Sequence, residues 1–255
     1  MPHEFNSVEN QGEPQLHRAS WAAFPDIPLV APQSTVKKHP DYEQAKQGDV
    51  NEAAPAAKRL ALSLVNAEWI ASLAQWPLAG ALLVPVHALE GQGYNRIPAA
   101  FAELIAERLG LEIETGIIQV NVVNHTGANG WQRMARAALF EGAVHSGMRY
   151  VLVDDFVGLG GTLANLRGHI IHHGGSVIGA VCLTGREDSA KLALTTQTLE
   201  AIRQKYGEAL EAWWIEAVGF DFSCLTESEA RYLLRVETPD AVRAQFLAAR
   251  SEGHG

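Results

Sequence analysis

Little in this sequence speaks of covalent or membrane-based stabilisation. Of its 255 residues only two are cysteines, Cys182 and Cys224. Two thiols make neither a disulfide framework nor a cysteine zinc site by themselves, and both are read as reduced, as expected in the cytoplasm. Long apolar runs are missing too: stretches such as Ala81-Leu82-Leu83-Val84-Pro85-Val86 are far too short to cross a bilayer. The opening Met-Pro-His-Glu-Phe-Asn lacks a basic start followed by an apolar stretch, so no secretory signal is expected. Positive charge is scarce, with 20 Lys and Arg against 29 Asp and Glu and a formal net charge of −9. That balance argues against a general nucleic-acid surface. No internal repeat is visible. The expectation is a cytoplasmic chain with neither a nucleic-acid nor a membrane partner.

What is present is an ordinary globular balance, 47% hydrophobic and 19% charged. The length suits one sizeable α/β domain with additions, or two small domains. Charge is unevenly distributed. Between Thr115 and Arg149 stand Arg133, Arg136 and Arg149 against a single acid, Glu141, with His125 and His145 in the same stretch. Such a basic island in an acidic protein suits a small anion; chance clustering is the alternative.

Residues 1 to about 40 are polar and proline-dotted and read as an arm or mobile segment. A helix is expected from about Pro55 to Leu73, a buried strand up to Val86, and a helix from Pro98 to Leu109 that stops at Gly110. Residues 112–123 alternate as a strand would, 124–130 have loop composition, and 131–141 read as a short helix. A strand from Tyr150 to Val153, a helix from Thr162 to His173 and a strand from Ser176 to Leu183 then make a parallel βαβ unit. The tail from Arg186 reads as helical. Gly207 closes one helix, Thr226 with Glu229 makes a capping box for a second, and Thr238-Pro239 starts a third. The domain plan is thus 1–54 as a partly flexible N-terminal arm, 55–185 as the α/β core and 186–255 as a helical extension.

The chemistry concentrates in Asp154-Asp155-Phe156-Val157-Gly158-Leu159-Gly160-Gly161-Thr162. The carboxyl end of a parallel strand is where ligands bind, because the following helix amino termini point there. Glycines at 158, 160 and 161 let the backbone wrap closely and turn its N–H groups inward, and the first turn of the next helix, with the Thr162 hydroxyl, completes an anion nest. Carboxylates accept hydrogen bonds from a diol while amides receive a phosphate. A ribose 5-phosphate carries both. A P-loop would need a lysine after the last glycine, and Gly161-Thr162 has none. A dinucleotide fingerprint would need glycine where Leu163 stands. The plain alternative is a glycine-rich turn with two solvated aspartates.

The run from Val151 to Thr162 resembles the phosphoribosyl-pyrophosphate (PRPP) motif of type I phosphoribosyltransferases. The resemblance implies that Asp154 and Asp155 bind the ribose hydroxyls, directly and through water on Mg2+, and that Val157, Gly158, Leu159, Gly160, Gly161 and Thr162 hold the 5-phosphate. Leu159 departs from the family's usual threonine or serine, removing a hydroxyl worth on the order of 1 kcal/mol. Val84-Pro85-Val86 followed by Gly91-Gln92-Gly93-Tyr94-Asn95-Arg96 resembles the first strand and pyrophosphate loop of the branch related to competence protein F. On that likeness Gly93, Asn95 and Arg96 are candidate ligand contacts; otherwise the glycines only shape a turn and Arg96 is solvated. Residues 125–136 stand where the family has a flexible catalytic loop, with Gln132, Arg133 and Arg136 as candidates to stabilise departing pyrophosphate. Arg133 and Arg136, three apart, share one face if helical, and a solvated face is the alternative. Trp131 either stacks on a base or anchors the loop.

His169, His172 and His173 are read as structural, at the carboxyl end of a helix where cations suit the dipole, and Trp213-Trp214 as core or interface. The resemblance covers about Ala81 to Leu183. The zinc-binding cysteine cluster that precedes this domain in competence protein F relatives is absent. Together these imply an α/β fold with a type I phosphoribosyltransferase-like core, a parallel sheet flanked by helices, an N-terminal arm and a C-terminal helical extension. The implied activity is transfer of a phosphoribosyl group to or from a nitrogenous base with pyrophosphate exchange, in nucleotide metabolism, with Mg2+ and in a homodimer. Two rivals stand beside it, a non-catalytic protein sensing PRPP or a nucleotide, and hydrolysis with water in place of the base.

Overall fold

The computed structural model describes residues 14–87, 89–90, 93–123 and 128–252. Four helices come first: α1 (Gln33–Lys37), α2 (Tyr42–Gln47), α3 (Val50–Leu64) and α4 (Ala67–Leu73). Next are β1 (Ala81–Pro85), the strands β2 (Leu89–Glu90) and β3 (Gly93–Tyr94) paired antiparallel, α5 (Ile97–Leu109) and β4 (Glu112–Ile113). Then follow β5 (Ile118–Gln119), α6 (Gly130–Ala135), β6 (Phe140–Glu141), β7 (Arg149–Val157), α7 (Gly161–His172) and β8 (Ser176–Gly185). The chain ends in α8 (Thr196–Val218), α9 (Glu227–Leu234) and α10 (Pro239–Ser251).

The main sheet has the order β4-β1-β7-β8, with every pairing parallel. Alternation along the strands splits the core in two. Leu83, Val151, Val153, Val181 and Leu183 face the cluster packed by α1 to α5, whereas Val84, Tyr150, Leu152, Ala180 and Cys182 face Leu163, Leu166 and Ile170 of α7. The sheet is therefore covered by helices on both faces, which is why its strands read as continuous apolar runs. Chain order reverses between β1 and β7: β1 leads by way of α5 to β4 on one side, and β7 leads by way of α7 to β8 on the other. A crevice opens at the carboxyl ends of strands at such a reversal.

Several elements differ from the pattern-based expectation, each for a local reason. The expected helix over 55–73 is two helices. Asp49 accepts from Asn51 N–H and starts the first at Val50, and Asn66 accepts from Trp69 N–H and starts the second after a break. The alternating stretch 112–123 makes only two short strands, separated by a turn in which Glu114 accepts from Gly116 N–H at 2.6 Å. The helix expected over 131–141 stops at Ala135, and Phe140 joins a strand that carries its ring into the core. Strand β7 runs past Val153 through both aspartates to Val157. The capping box at Thr226 and Glu229 and the starts at Gly161 and Pro239 agree with the sequence, and Gly207, at φ 70° and ψ 176°, kinks α8 rather than ending it.

Residues ahead of α1 lie along the free edge of β8. Leu29 pairs in parallel with Cys182, Val30 N–H donates to Cys182 O at 3.3 Å, and the Thr184 hydroxyl donates to Ala31 O at 2.7 Å. The segment thus covers an edge that would otherwise offer open hydrogen bonds. Upstream it crosses α7, where Arg167 donates to Ala19 O and Ser20 O at 2.9 and 3.0 Å. Gly168 permits this crossing, since a Cβ there would run into the His17 carbonyl. The C-terminal helices hold a third apolar cluster around Trp214, Phe222, Leu233 and Phe246, closed by Trp131 and Met134 of α6.

The close seating of the arm fixes the sign of one substitution. Alanine in place of a helical glycine ordinarily stabilises by up to ~1 kcal/mol, but Gly168→Ala is expected to destabilise by about 1–3 kcal/mol through overpacking. It is also expected to speed hydrogen exchange at Ile27, Val30 and Ala31. A stabilised variant with unchanged exchange at those amides would contradict the contact.

Candidate functional site

Asp154 and Asp155 stand near the carboxyl end of β7, beside the reversal crevice, and both are buried at 6% and 7% exposure. Asp155 N–H donates to Asp154 Oδ1 at 2.8 Å. Two partners come to Asp155 from elsewhere in the chain. Lys46 of α2 places Nζ 3.0 Å from its Oδ2, and the Asn95 side chain, just after β3, hydrogen-bonds to it. The two acids are driven apart as titrating groups. Burial, then the charge of Asp155, push Asp154 well above the usual carboxylate range. Burial also works to raise Asp155, but Lys46 and the hydrogen bonds from Lys46 and Asn95 outweigh it and leave its pKa lowered. The pair therefore holds its first proton on Asp154 while Asp155 stays ionised against an ammonium. Cys182, opposite Asp154 on β8, is a buried thiol held well above its ordinary pKa by burial and by the two aspartates.

The glycine loop follows directly. Gly160 sits at φ 82°, and α7 begins at the next residue, with its amino terminus at the loop. The loop is backed by the C-terminal extension and the arm. The Thr226 hydroxyl donates to Leu159 O at 2.5 Å, a Cβ on Gly160 would strike Leu192, and one on Gly161 would lie 2.8 Å from Glu229 Oε1. Leu159 packs against the third apolar cluster. The departure from threonine at this position thus has a structural counterpart: the side chain is used to hold the extension. Behind the loop, Arg18 and Glu229 form a buried ion pair, 2.9 Å, with side chains 5% and 2% exposed. Arg18 also donates to Asn165, to Cys224 O at 3.1 Å and to Gly161 O at 3.4 Å.

The residues expected to contact a ligand divide. Arg133 reaches the loop, its guanidinium 3.0 Å from where a Gly158 Cβ would be. Burial, and then the charge of Arg186, lower its pKa. Arg186 itself follows β8 and donates its N–H to Val157 O at 3.3 Å. Gln132 and Arg136 bond to the end of α10, through Glu252 Oε2 at 2.9 Å and Glu252 O at 3.2 Å, and Arg136 also lines a cavity with Arg133, Gly161 and Thr162. Gln132 also closes a capping box with Asn129. Arg96 donates its backbone N–H to Ala45 O at 3.1 Å, which ties the β3–α5 turn to α2, and its charge, after burial, depresses His87. Gly93 lies in β3, whereas Gly91, Gln92 and residues 124–127, including His125, lie outside the described residues. Trp131 packs edge-to-face on Tyr232 at 5.5 Å, which anchors α6 to the extension. Trp214 is core.

Sequence reasoning missed Lys46, Arg186, Arg18, Thr226 and Glu229 as neighbours of the loop. Only Arg186, immediately after the βαβ unit, carried a positional signal. His169, His172 and His173 pack with His17 of the arm, with His17 and His172 stacked at 3.8 Å. Among the described residues no three His, Cys, Asp or Glu side chains are grouped so as to hold a metal ion. Among the same residues no helix is long and apolar enough to cross a membrane.

No protein-family model matches the chain. It is 40% identical over 241 residues to Protein TraN of Escherichia coli, covering 93% of this chain and 52% of that one. It is 36% identical over 168 residues to an uncharacterised protein of Haemophilus influenzae, covering 64% of this chain and 36% of that one. The chain thus spans about half the length, or less, of these curated relatives. Among solved structures it is similar to adenine phosphoribosyltransferase of Thermoanaerobacter pseudethanolicus, with a TM-score of 0.31 and 15% identity over 54% of this chain and 82% of that one. It is similar also to UMP synthase of Leishmania donovani, with a TM-score of 0.32 and 20% identity over 71% of this chain and 33% of that one. These structural likenesses are slight.

The state of the acidic pair has a measurable consequence. A carboxyl whose folded pKa is raised stabilises the fold only while protonated, and its ionisation costs stability as pH rises above the unfolded value of about 3.9. Asp154→Asn should therefore be more stable than the parent at pH 8, with the advantage shrinking as pH falls toward 4. Denaturant titrations at the two pH values check this, and equal stability at both would refute the raised pKa.

Proposed function

We propose that the crevice between β1 and β7 binds PRPP or a closely related phosphoribosyl ligand, and that the chain is a phosphoribosyltransferase-type protein. The observation that supports this most is the placement of two buried carboxylates at the end of β7, directly before a glycine-rich turn and the amino terminus of α7. In this reading Asp155, ionised, accepts from a ribose hydroxyl, while Asp154 both accepts and, when protonated, donates. Residues 157–162 turn backbone N–H groups and the Thr162 hydroxyl to the 5-phosphate, with the α7 dipole favouring the anion. Arg133, half-buried beside Gly158, is the cation placed to offset phosphate charge, worth more where water is partly excluded.

Catalysis in this class needs little covalent chemistry from the protein. A base nitrogen attacks the anomeric carbon as pyrophosphate departs, so holding the ribose in line is the main contribution of the acids. Asp155, ionised, is an oxygen donor that suits a hard divalent cation; Asp154 would join it on giving up its proton, and the two would then hold Mg2+ through its waters. Bound there with the ligand, Mg2+ would supply charge neutralisation at the pyrophosphate. Arg136 lines a cavity with Arg133, Gly161 and Thr162 and stands with Arg133 as a second cation of the site, while Gln132 is bonded to Glu252. We place the boundaries of the ligand-binding core at about residues 55 and 185, with the arm and extension as its supports and a homodimer as its expected state.

A second reading is favoured by one specific feature. The loop is tied to the extension through Thr226 and Leu159, which suits a non-catalytic sensor whose tail reports ligand occupancy. Turnover with any base at ordinary enzyme rates would exclude the sensor.

Calorimetric titration with PRPP, with and without Mg2+, tests the site itself. The parent is expected to bind, and Asp154→Asn with Asp155→Asn is expected to lose at least 100-fold in affinity while remaining folded. An unchanged dissociation constant in the double variant would remove the central claim.

A further inference from the structure

We propose that Lys46 is a ligand-contacting cation of this crevice, its ammonium taking the anionic group carried at the anomeric carbon of the bound phosphoribosyl ligand. The inference rests on the reading of the site given above. Lys46 lies in the last turn of α2, in a region the resemblance to phosphoribosyltransferases does not reach, so nothing in the motif assigns it a role.

Three observations point the same way. First, Lys46 Nζ lies 3.0 Å from Asp155 Oδ2, with its side chain 18% exposed against 10% for Asp155. A lysine this close to the surface ordinarily carries its charge into water along its flexible stem, whereas here it turns inward to the acidic pair. Second, the helix that carries it is tied to the turn after β3. Arg96 N–H donates to Ala45 O at 3.1 Å, and Asn95, from the same turn, hydrogen-bonds to Asp155. Ammonium, carboxamide and carboxylate thus meet at the rim shared by β1 and β7. Third, the chemistry of the ligand sets what lies beside the acids. The ribose hydroxyl next to the anomeric carbon, held on the acidic pair, leaves the anomeric substituent one carbon away. A compact ammonium on a four-carbon stem reaches such a group by rotating a few bonds, without moving α2. Between ligands Asp155 keeps the ammonium in place, and with ligand bound the ammonium bridges carboxylate and pyrophosphate.

A purely structural ion pair makes a different prediction, because removing Lys46 would then weaken every ligand that uses Asp155 to the same degree. The full chain is titrated calorimetrically with PRPP and with ribose 5-phosphate, which lacks the anomeric pyrophosphate. The parent, Lys46→Met, Lys46→Arg and Lys46→Gln are compared, with thermal melting as a check on folding. The expected result for Lys46→Met is a loss of PRPP affinity at least tenfold greater than its loss of ribose 5-phosphate affinity, because removing the ammonium also costs Asp155 a partner that both ligands depend on. Lys46→Arg should return PRPP affinity to within about threefold of the parent. Lys46→Gln keeps a donor for Asp155 without the charge and should behave as Lys46→Met, so it decides the matter if the methionine variant melts early. Equal losses for both ligands would overturn the inference and assign Lys46 to Asp155 alone, leaving the PRPP site standing. Unchanged PRPP affinity in Lys46→Gln would overturn it as well. Failure of the parent to bind either ligand would bring down the reading of the site, and this inference with it.

Discussion

Two adjacent carboxylates buried at the end of one strand are the constraint around which the rest of the molecule is arranged. Taking an ion out of water costs several kcal/mol even after the protein relaxes. Two like charges side by side add to that cost, so a pair of this kind persists only with compensation. The chain supplies it in two ways. Asp154 is pushed toward its neutral form, and Asp155 receives an ammonium, a carboxamide and a settled geometry through the Asp154–Asp155 hydrogen bond. Both compensating partners of Asp155 come from outside the βαβ unit. The position of α2 and of the turn after β3 is therefore part of the stability of β7, and those elements cannot be loosened without leaving a buried charge exposed to its full desolvation cost.

A second constraint holds the glycine loop from behind. Arg18 joins three parts of the chain at one guanidinium: Asn165 and Gly161 O of α7, Glu229 of α9 and Cys224 O ahead of α9. With nearly all of its surface removed from water, this ion pair is one whose partners cannot be removed singly at small cost. Glu229 serves twice, as the reciprocal partner in the Thr226 capping box and as the acceptor for Arg18. The loop end of α7 is thereby clamped between the arm and the extension, and the extension is fastened again by Leu159 and by Trp131 on Tyr232.

How much of this could be read from the sequence depended on the range of the interaction. The β7–α7–β8 unit was legible because its signals are local: an apolar β-branched run, two acids, three glycines and a helix stop. The caps at Thr226 and Thr238 were legible for the same reason. Strand β7 outran its expected end because aspartate disfavours strands on average, and only the pairing with β8 shows that Asp154 continues the ladder. Lys46 and Asp155 are separated by 109 residues, and Arg18 and Glu229 by 211. No periodicity or spacing links residues that far apart. Leu159 was visible as a departure but not as an anchor, since its partners are assembled from the C-terminal helices. Arg133 and Arg136 line one cavity with Gly161 and Thr162, though not as one helical face, because α6 ends at Ala135 and Arg136 leaves helical geometry.

The clamp gives the extension a physical route to the crevice whichever functional reading holds. Coupling between two sites requires an element that both of them bias, and it is reciprocal in free energy. In the proposed site the peptide at Leu159 is the point where the two would meet. Its carbonyl accepts from Thr226 and its side chain packs in the extension, while the amides that follow open toward the crevice in the proposed site. An anion that shifts this turn must shift the contacts of Leu159 and Thr226, and a partner that moves α9 must change the turn by an equal free energy. A threonine at 159 would keep the carbonyl that Thr226 reaches but lose the apolar packing against the third cluster. Leucine adds that packing and so fastens the glycine loop to a helical unit that supplies no residue of the acidic pair.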